Sequence, residues 1–133
     1  MAITKALLDT HVFLWSAVEP ERLSRVARQL LKRTDVTLYL SVASVWEMSL
    51  KHHKGKLDNA SAIVVDGQIR ALSILPLSIS LEHIRALAEL PAPLKGHKDP
   101  FDRLIAAQAM VENLPLVTAD PAFAGYPRVK LRW

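Results

Sequence analysis

Cysteine is absent from all 133 residues. That removes disulfides, thiolate nucleophiles and Cys-ligated zinc together, so any metal must be held by carboxylates or imidazoles. No apolar run approaches the roughly 18 residues that a membrane span needs. The N-terminus meets Asp9 after a few apolar residues and shows no small-residue cleavage site, so no secretory signal is expected and a cytoplasmic protein is. Internal repeats, low-complexity tracts and linkers are also missing, which leaves one domain over residues 1–133 as the expectation. Half of the residues are hydrophobic and 23% are charged, the balance of a chain that folds around a core. Lys and Arg number 17 against 13 Asp and Glu, for a net charge of +4. That excess permits a nucleic-acid partner without requiring one.

Apolar runs alternate with helical periodicities along the chain. Ile3 to Leu8 reads as a buried strand ending at an acid, Asp9, and Thr10 to Ala17 continues as a helix that Glu19-Pro20 breaks. Ser24 to Arg33 places Val26, Ala27, Leu30 and Leu31 on one helical face and basic residues on the other. Val36 to Ser41 is a second strand, and Ala43 to His53 a helix closed by Gly55. A helix over Asn59 to Leu72, a strand over Ser73 to Leu77 and a helix over Ser80 to Leu90 follow. Asp99 then caps a helix, with Pro100 first in it and Asp102 third, running to about Asn113. Leu116 to Thr118 is a fourth strand and Val129 to Leu131 a short last one. The alternation predicts a three-layer α/β/α sandwich around a mainly parallel sheet.

Four acids share a place in this scheme. Asp9 follows the first strand, Asp120 lies two residues past Thr118, and Glu47 sits in the helix after the second strand. Asp102 opens the helix that feeds the fourth strand. That helix runs antiparallel to the strand, so its start lies at the same carboxyl edge where α/β sheets bind ligands. Taken singly, each acid has an ordinary reading. Asp9 caps a helix, Glu47 pairs with Lys51 at i, i+4 for about 0.2–0.5 kcal/mol, Asp120-Pro121 makes a turn, and Asp99 and Asp102 oppose a helix dipole. Together at one edge they repel one another unless cations lie among them. An all-oxygen donor set selects a hard ion, Mg²⁺ or Mn²⁺. A paired-metal carboxylate site is a route to phosphodiester cleavage.

Four stretches carry a resemblance that spans nearly the whole chain: Leu7-Leu8-Asp9-Thr10-His11, Ser41 to Glu47, Asp99-Pro100-Phe101-Asp102-Arg103 through Ala109, and Val117-Thr118-Ala119-Asp120. They resemble the PIN-domain ribonucleases, in particular the VapC-type toxins of bacterial toxin–antitoxin pairs. The resemblance implies that Asp9, Glu47, Asp102 and Asp120 are the catalytic, metal-binding acids and that Thr118 stands beside the last of them. Asp99 is open between helix cap, supporting partner and ligand, with cap plus support preferred. Mg²⁺- or Mn²⁺-dependent RNA cleavage, homodimerisation and inhibition by a small antitoxin are further implications.

Basic residues fall around these acids. Lys51 to Lys56 closes the Glu47 helix, and the run reads either as cations at a helix C-terminus or as a phosphate-contacting rim. Lys51, Lys54, Lys98 and Arg103 are the candidate RNA contacts, Arg103 being also placed to pair with Asp99. His97 shares that neighbourhood, whereas His11 and His83 read as structural or surface residues. Two rival functions stand beside the metal nuclease: a metal-free ribonuclease using histidine pairs, and a non-enzymatic RNA-binding or regulatory module. A carboxylate phosphatase is disfavoured because position 11, two after Asp9, is His rather than Asp.

Overall fold

The computed structural model describes residues 3–57, 60–91 and 99–133. Strand β1 (Lys5–Leu8) leads into α1 (Thr10–Val18), a 3₁₀ turn (Pro20–Arg22) and α2 (Arg25–Lys32). Strand β2 (Thr37–Ser41) runs directly into α3 (Val42–His53), followed by α4 (Ala62–Ala71), β3 (Leu75–Leu77) and α5 (Leu81–Glu89). Helix α6 (Pro100–Val111), β4 (Leu116–Val117), a second 3₁₀ turn (Pro121–Gly125) and β5 (Leu131–Arg132) complete it. The five strands form one sheet in the order β3-β2-β1-β4-β5. Every neighbouring pair is parallel.

Alternation along the strands divides the core in two, because successive side chains leave opposite faces. Ala6, Leu8, Leu38, Leu40 and Val117 enter one apolar cluster with Val12 and Phe13 of α1, Ala27 and Leu30 of α2, Met48 of α3 and Val65 of α4. Leu7 and Leu116 enter the other, with Ile105, Ala106 and Ala109 of α6 and Phe123 of the second turn. The sandwich expected from the sequence is therefore the fold observed. Central β1 and β4 are buried along almost their whole length, which explains why they read as continuous apolar runs. α3 and α6 lie on different faces but meet beyond the strand ends, where Trp46 and Phe101 pack edge to face at 5.1 Å.

The element boundaries moved by one to three residues. Ser61 caps α4, accepting a hydrogen bond from the Val64 amide, so the helix starts at Ala62 rather than Asn59, a residue outside those described. The last strand begins at Leu131 because its register is set by pairing Leu116 with Leu131. The 3₁₀ turns at Pro20–Arg22 and Pro121–Gly125 carry no apolar periodicity and were not anticipated. No helix among the described residues is long and apolar enough to cross a membrane.

Three helices end in the same paired hydrogen bonds. After α3, Gly55 N–H bonds to His52 O and Lys56 N–H to Lys51 O, with Gly55 at φ +74°. The equivalent left-handed position is Asn113 after α6 and Ser73 after α4, each at φ 51°. Serine has neither the freedom of glycine nor the αL tolerance of asparagine. Ser73→Gly is therefore expected to raise the unfolding free energy by about 0.5–1 kcal/mol, read as a higher urea midpoint with an unchanged denaturant slope.

Candidate active site

Asp9 occupies the position before α1 where a side chain would cap the helix, yet it makes no capping bond. Its Oδ2 accepts a 2.7 Å hydrogen bond from the Thr118 hydroxyl. Its Oδ1 is buried without a hydrogen-bond partner, the one such side-chain atom among the described residues. Burial pushes the Asp9 carboxyl above the ordinary range and the Glu47 charge adds to this, outweighing the Thr118 hydrogen bond, the His11 charge and the Thr10 amide. A buried acceptor left unpaired costs about 1–3 kcal/mol unless something outside the chain satisfies it.

Glu47 is 1% exposed and, unlike Asp9, fully engaged. The Thr10 hydroxyl donates to its Oε1 at 2.8 Å and lies 2.8 Å from Ser44 Oγ, while the Lys51 ammonium donates to Oε2 at 2.6 Å. Lys51 thus turns inward. Burial lowers its pKa, but the bond and charge of Glu47, with the charges of Asp99 and Asp102, outweigh this and leave the net shift upward. The i, i+4 pair read from the sequence and the placement of Glu47 among the acids are both present.

Asp99 is the cap that Asp9 is not. Its Oδ1 accepts from the Phe101 amide at 2.8 Å and the Asp102 amide at 3.3 Å, and Pro100 takes the first helical position as anticipated. Asp102 is consequently held at the third position of α6. Its carboxyl is pushed up to about 8, by burial first and then by the charges of Asp9, Asp99, Glu47 and Asp120. Asp120 caps the second 3₁₀ turn through the Ala122 amide, and its own amide donates to Thr118 Oγ1 at 3.0 Å. Thr118 therefore links two acids.

All four acids of the sequence scheme lie around one edge, and Asp102 feels the charge of the other three. Among the described residues no three His, Asp or Glu side chains are arranged to hold one ion together as they stand. Lys51 occupies one Glu47 oxygen as the side chains stand. The donor set nevertheless fits a hard divalent cation. Every ligand candidate is a carboxylate oxygen, Asp9 Oδ1 is unclaimed, and the charges of Asp9, Asp99, Glu47 and Asp120 add to burial in raising the Asp102 carboxyl.

The basic candidates separate. Lys54 is exposed at the end of α3, and Lys98 and His97 lie outside the described residues. Arg103 reaches away from Asp99, donating to Tyr126 Oη at 3.2 Å and Pro91 O at 3.1 Å. His83 is buried: its Nδ1 accepts from the Ser80 amide and its Nε2 meets Glu112 Oε2 at 2.8 Å, which spends both ring nitrogens on the fold. The sequence reading missed Thr10, whose hydroxyl meets Glu47, and Ser44, whose hydroxyl meets that of Thr10. The signal available was their place beside Asp9 and one turn before Glu47.

Comparison with known proteins bears on the family and the fold. A family model described as the PIN domain matches residues 6–129. The chain is 31% identical over 118 residues to ribonuclease VapC22 of Mycobacterium tuberculosis, covering 89% of this chain and 88% of that one. In fold it is similar to VapBC2 of Rickettsia felis, solved bound to a DNA fragment from its promoter, with a TM-score of 0.73 at 20% identity over 96% of this chain and 97% of that one. It is also similar to the sarcin-ricin-loop-cleaving toxin VapC20 of M. tuberculosis, with a TM-score of 0.61 at 15% identity over 94% and 98% of the two chains.

The raised carboxyls set a pH dependence. Asp102 binds its proton more tightly folded than unfolded, so the stability it contributes is fully present below about pH 4 and is lost as pH rises through about 8. In chelator-treated protein the unfolding free energy should fall across that window. Asp102→Asn should flatten the fall, leaving the smaller share that comes from Asp9, in urea titrations at stepped pH.

Proposed function

We propose, for a chain that belongs to the PIN-domain family, that it is a divalent-metal-dependent endoribonuclease and the toxin of a toxin–antitoxin pair. The observation that carries the reading is Asp9. It sits where a capping residue belongs, does not cap, and keeps one buried carboxylate oxygen unpaired beside Asp102 and Asp120. A carboxylate cluster serving only to cap helices would look like Asp99, with its oxygen on backbone amides.

Asp9, Glu47, Asp102 and Asp120 would hold the ion, Mg²⁺ or Mn²⁺. Once bound, it supplies charge neutralisation, a lowered pKa for an attacking water and stabilisation of the leaving 3′ oxygen. The chain's own residues supply position. Thr118 fixes Asp9 through Oδ2 and leaves Oδ1 without a hydrogen bond. Thr10 and Lys51 hold the two oxygens of Glu47. Asp99 and Pro100 start α6 so that Asp102 projects from its first turn. The partial burial of Asp102 excludes part of the water that would otherwise screen the site.

The ribonuclease activity named for the 31% identical VapC22 supports RNA as substrate. The VapBC complexes of similar fold support a small antitoxin as partner. The homodimer belongs to the same proposal, and the exposed apolar stripe of Val42, Trp46 and Leu50 on α3 supports a face covered by another chain. A cytoplasmic location follows from such a partnership. His83 is committed to Ser80 and Glu112, which removes one imidazole from the histidine-pair alternative.

Cleavage of short single-stranded RNA should vanish in EDTA and return with Mn²⁺. Asp9→Asn and Asp102→Asn should each lower kcat by more than about a hundredfold, beyond the 10–100-fold typical of outer-shell partners, with Thr118→Val falling inside that lesser range. Activity surviving chelation or both acid substitutions would reject the metal-nuclease assignment. Millimolar Mn²⁺ should also raise the wild-type melting temperature and leave that of Asp102→Asn almost unmoved.

A further inference from the structure

Helix α1 carries a second group of side chains beside the acids. His11 is exposed one turn before Trp15, their rings 6.1 Å apart. The guanidinium of Arg22, at the end of the first 3₁₀ turn, lies 4.5 Å from the centre of the Trp15 ring. Trp133 approaches the same indole at 6.0 Å. His11, Trp15 and Arg22 line one groove of about 410 Å³ together with Asp9, Ala119 and Asp120. The groove is therefore continuous with two of the four acids.

The chemistry of this wall is specific. The carboxylates in the lining by themselves repel a phosphodiester. The rest of the lining presents an imidazole, an indole and a guanidinium stacked on that indole. A guanidinium already held on a ring gives up little further freedom when it binds, and it offers N–H donors to phosphate and a flat face to a base. Aromatic and guanidinium planes stack on unpaired bases, whose faces a duplex hides. The volume lies within the range of roughly 300–1,000 Å³ found for small-ligand sites, suited to one nucleotide and too small for a helix. An apolar peptide segment would find too much charge here, with Arg22, Asp9 and Asp120 all in the lining.

We propose that this groove is a nucleotide subsite: it takes an unpaired RNA nucleotide flanking the scissile phosphate, the base lying against His11, Trp15 and Arg22. The inference rests on the ribonuclease reading and adds to it the side on which the strand leaves the acids and the need for single-stranded RNA there. Arg22 also pairs with Glu19 at 3.6 Å on the open surface, a contact weak enough to leave the guanidinium available to phosphate.

The test uses the full chain in the Asp102→Asn background and short single-stranded RNAs in which 2-aminopurine, or an abasic ribose, is moved through the positions flanking the cleaved bond. Quenching of 2-aminopurine is expected at one flanking position. There, Arg22→Ala and His11→Ala should each weaken binding of intact RNA by about tenfold, the size of one stacking contact, and by less than twofold when that position is abasic. Trp15→Phe should keep most of the affinity that Trp15→Leu loses, while the two surface variants make the test independent of how Trp15 serves the core. Equal losses on intact and abasic RNA would reduce the wall to simple charge attraction and overturn the subsite. Unchanged affinity in all the variants would assign the groove to a protein partner and overturn it as well. If Asp102-intact protein cleaves no RNA while position-specific quenching persists, the ribonuclease reading fails and the groove is a nucleotide site that flanks no scissile bond, which overturns the subsite as stated.

Discussion

Carboxylates taken out of water at the carboxyl edge of a sheet constrain everything around them. Asp9 is 4% exposed and Glu47 1%, and like charges 4 Å apart repel by about 4 kcal/mol at an effective dielectric of 20. The fold answers each acid differently. Glu47 receives a lysine and a threonine, Asp99 and Asp120 receive backbone amides, and Asp9 receives one hydroxyl for its two oxygens. Asp102 retains its proton far above the ordinary carboxylate range. Among the described residues the buried oxygen left over is Asp9 Oδ1, and a divalent cation would be drawn to it and to the acids around it.

Holding that imbalance requires a stiff frame, and a buried polar chain behind the site supplies one. The Ser41 hydroxyl, at the end of β2, donates to Gln108 Oε1 of α6 at 2.5 Å, and it also caps α3 through the Ala43 amide. The Gln108 amide lies 3.3 Å from Ser78 O and 3.4 Å from His83 Nδ1, and His83 continues to Glu112. Because Nδ1 accepts from the Ser80 amide, the ring proton resides on Nε2 and donates to the Glu112 carboxylate. The network joins the helix bearing Glu47 to the helix bearing Asp102. A network with every member partnered specifies one arrangement of elements rather than several.

Some of this was legible in the residues themselves. Strand runs at Ile3–Leu8 and Val36–Ser41, the Asp99-Pro100 helix start and the Gly55 stop are local signals, set by side-chain chemistry within a few positions, and each is found in place. Ser73 was not legible as a helix stop, since nothing about serine announces φ 51°; the paired bonds to Arg70 and Ile69 impose it. Arg103 is another case. Spacing alone placed it against Asp99, but the Tyr126 hydroxyl and Pro91 carbonyl, brought from elsewhere in the chain, draw it away. The aromatic groove was illegible for a similar reason, because Trp133 reaches Trp15 from the far end of the chain and Arg22 is folded back onto it by the unanticipated 3₁₀ turn.

From the sequence alone came the α/β alternation, the list of four acids and the all-oxygen character of any metal site, since residue type and period are properties of the chain taken in order. The strand order belongs to tertiary structure. β1 lies between β2 and β4, so the chain's winding reverses at the β1–β4 step, and the crevice at such a step is where Asp9 and Asp120 stand. Tertiary contact also decided that Asp9 accepts from Thr118, 109 residues away, and so does not cap the helix that follows it. A capping bond is local and readable, whereas the choice to forgo it depends on which hydroxyl the closed sheet delivers. That choice separates a carboxylate spent on capping from one that keeps a buried oxygen unpaired.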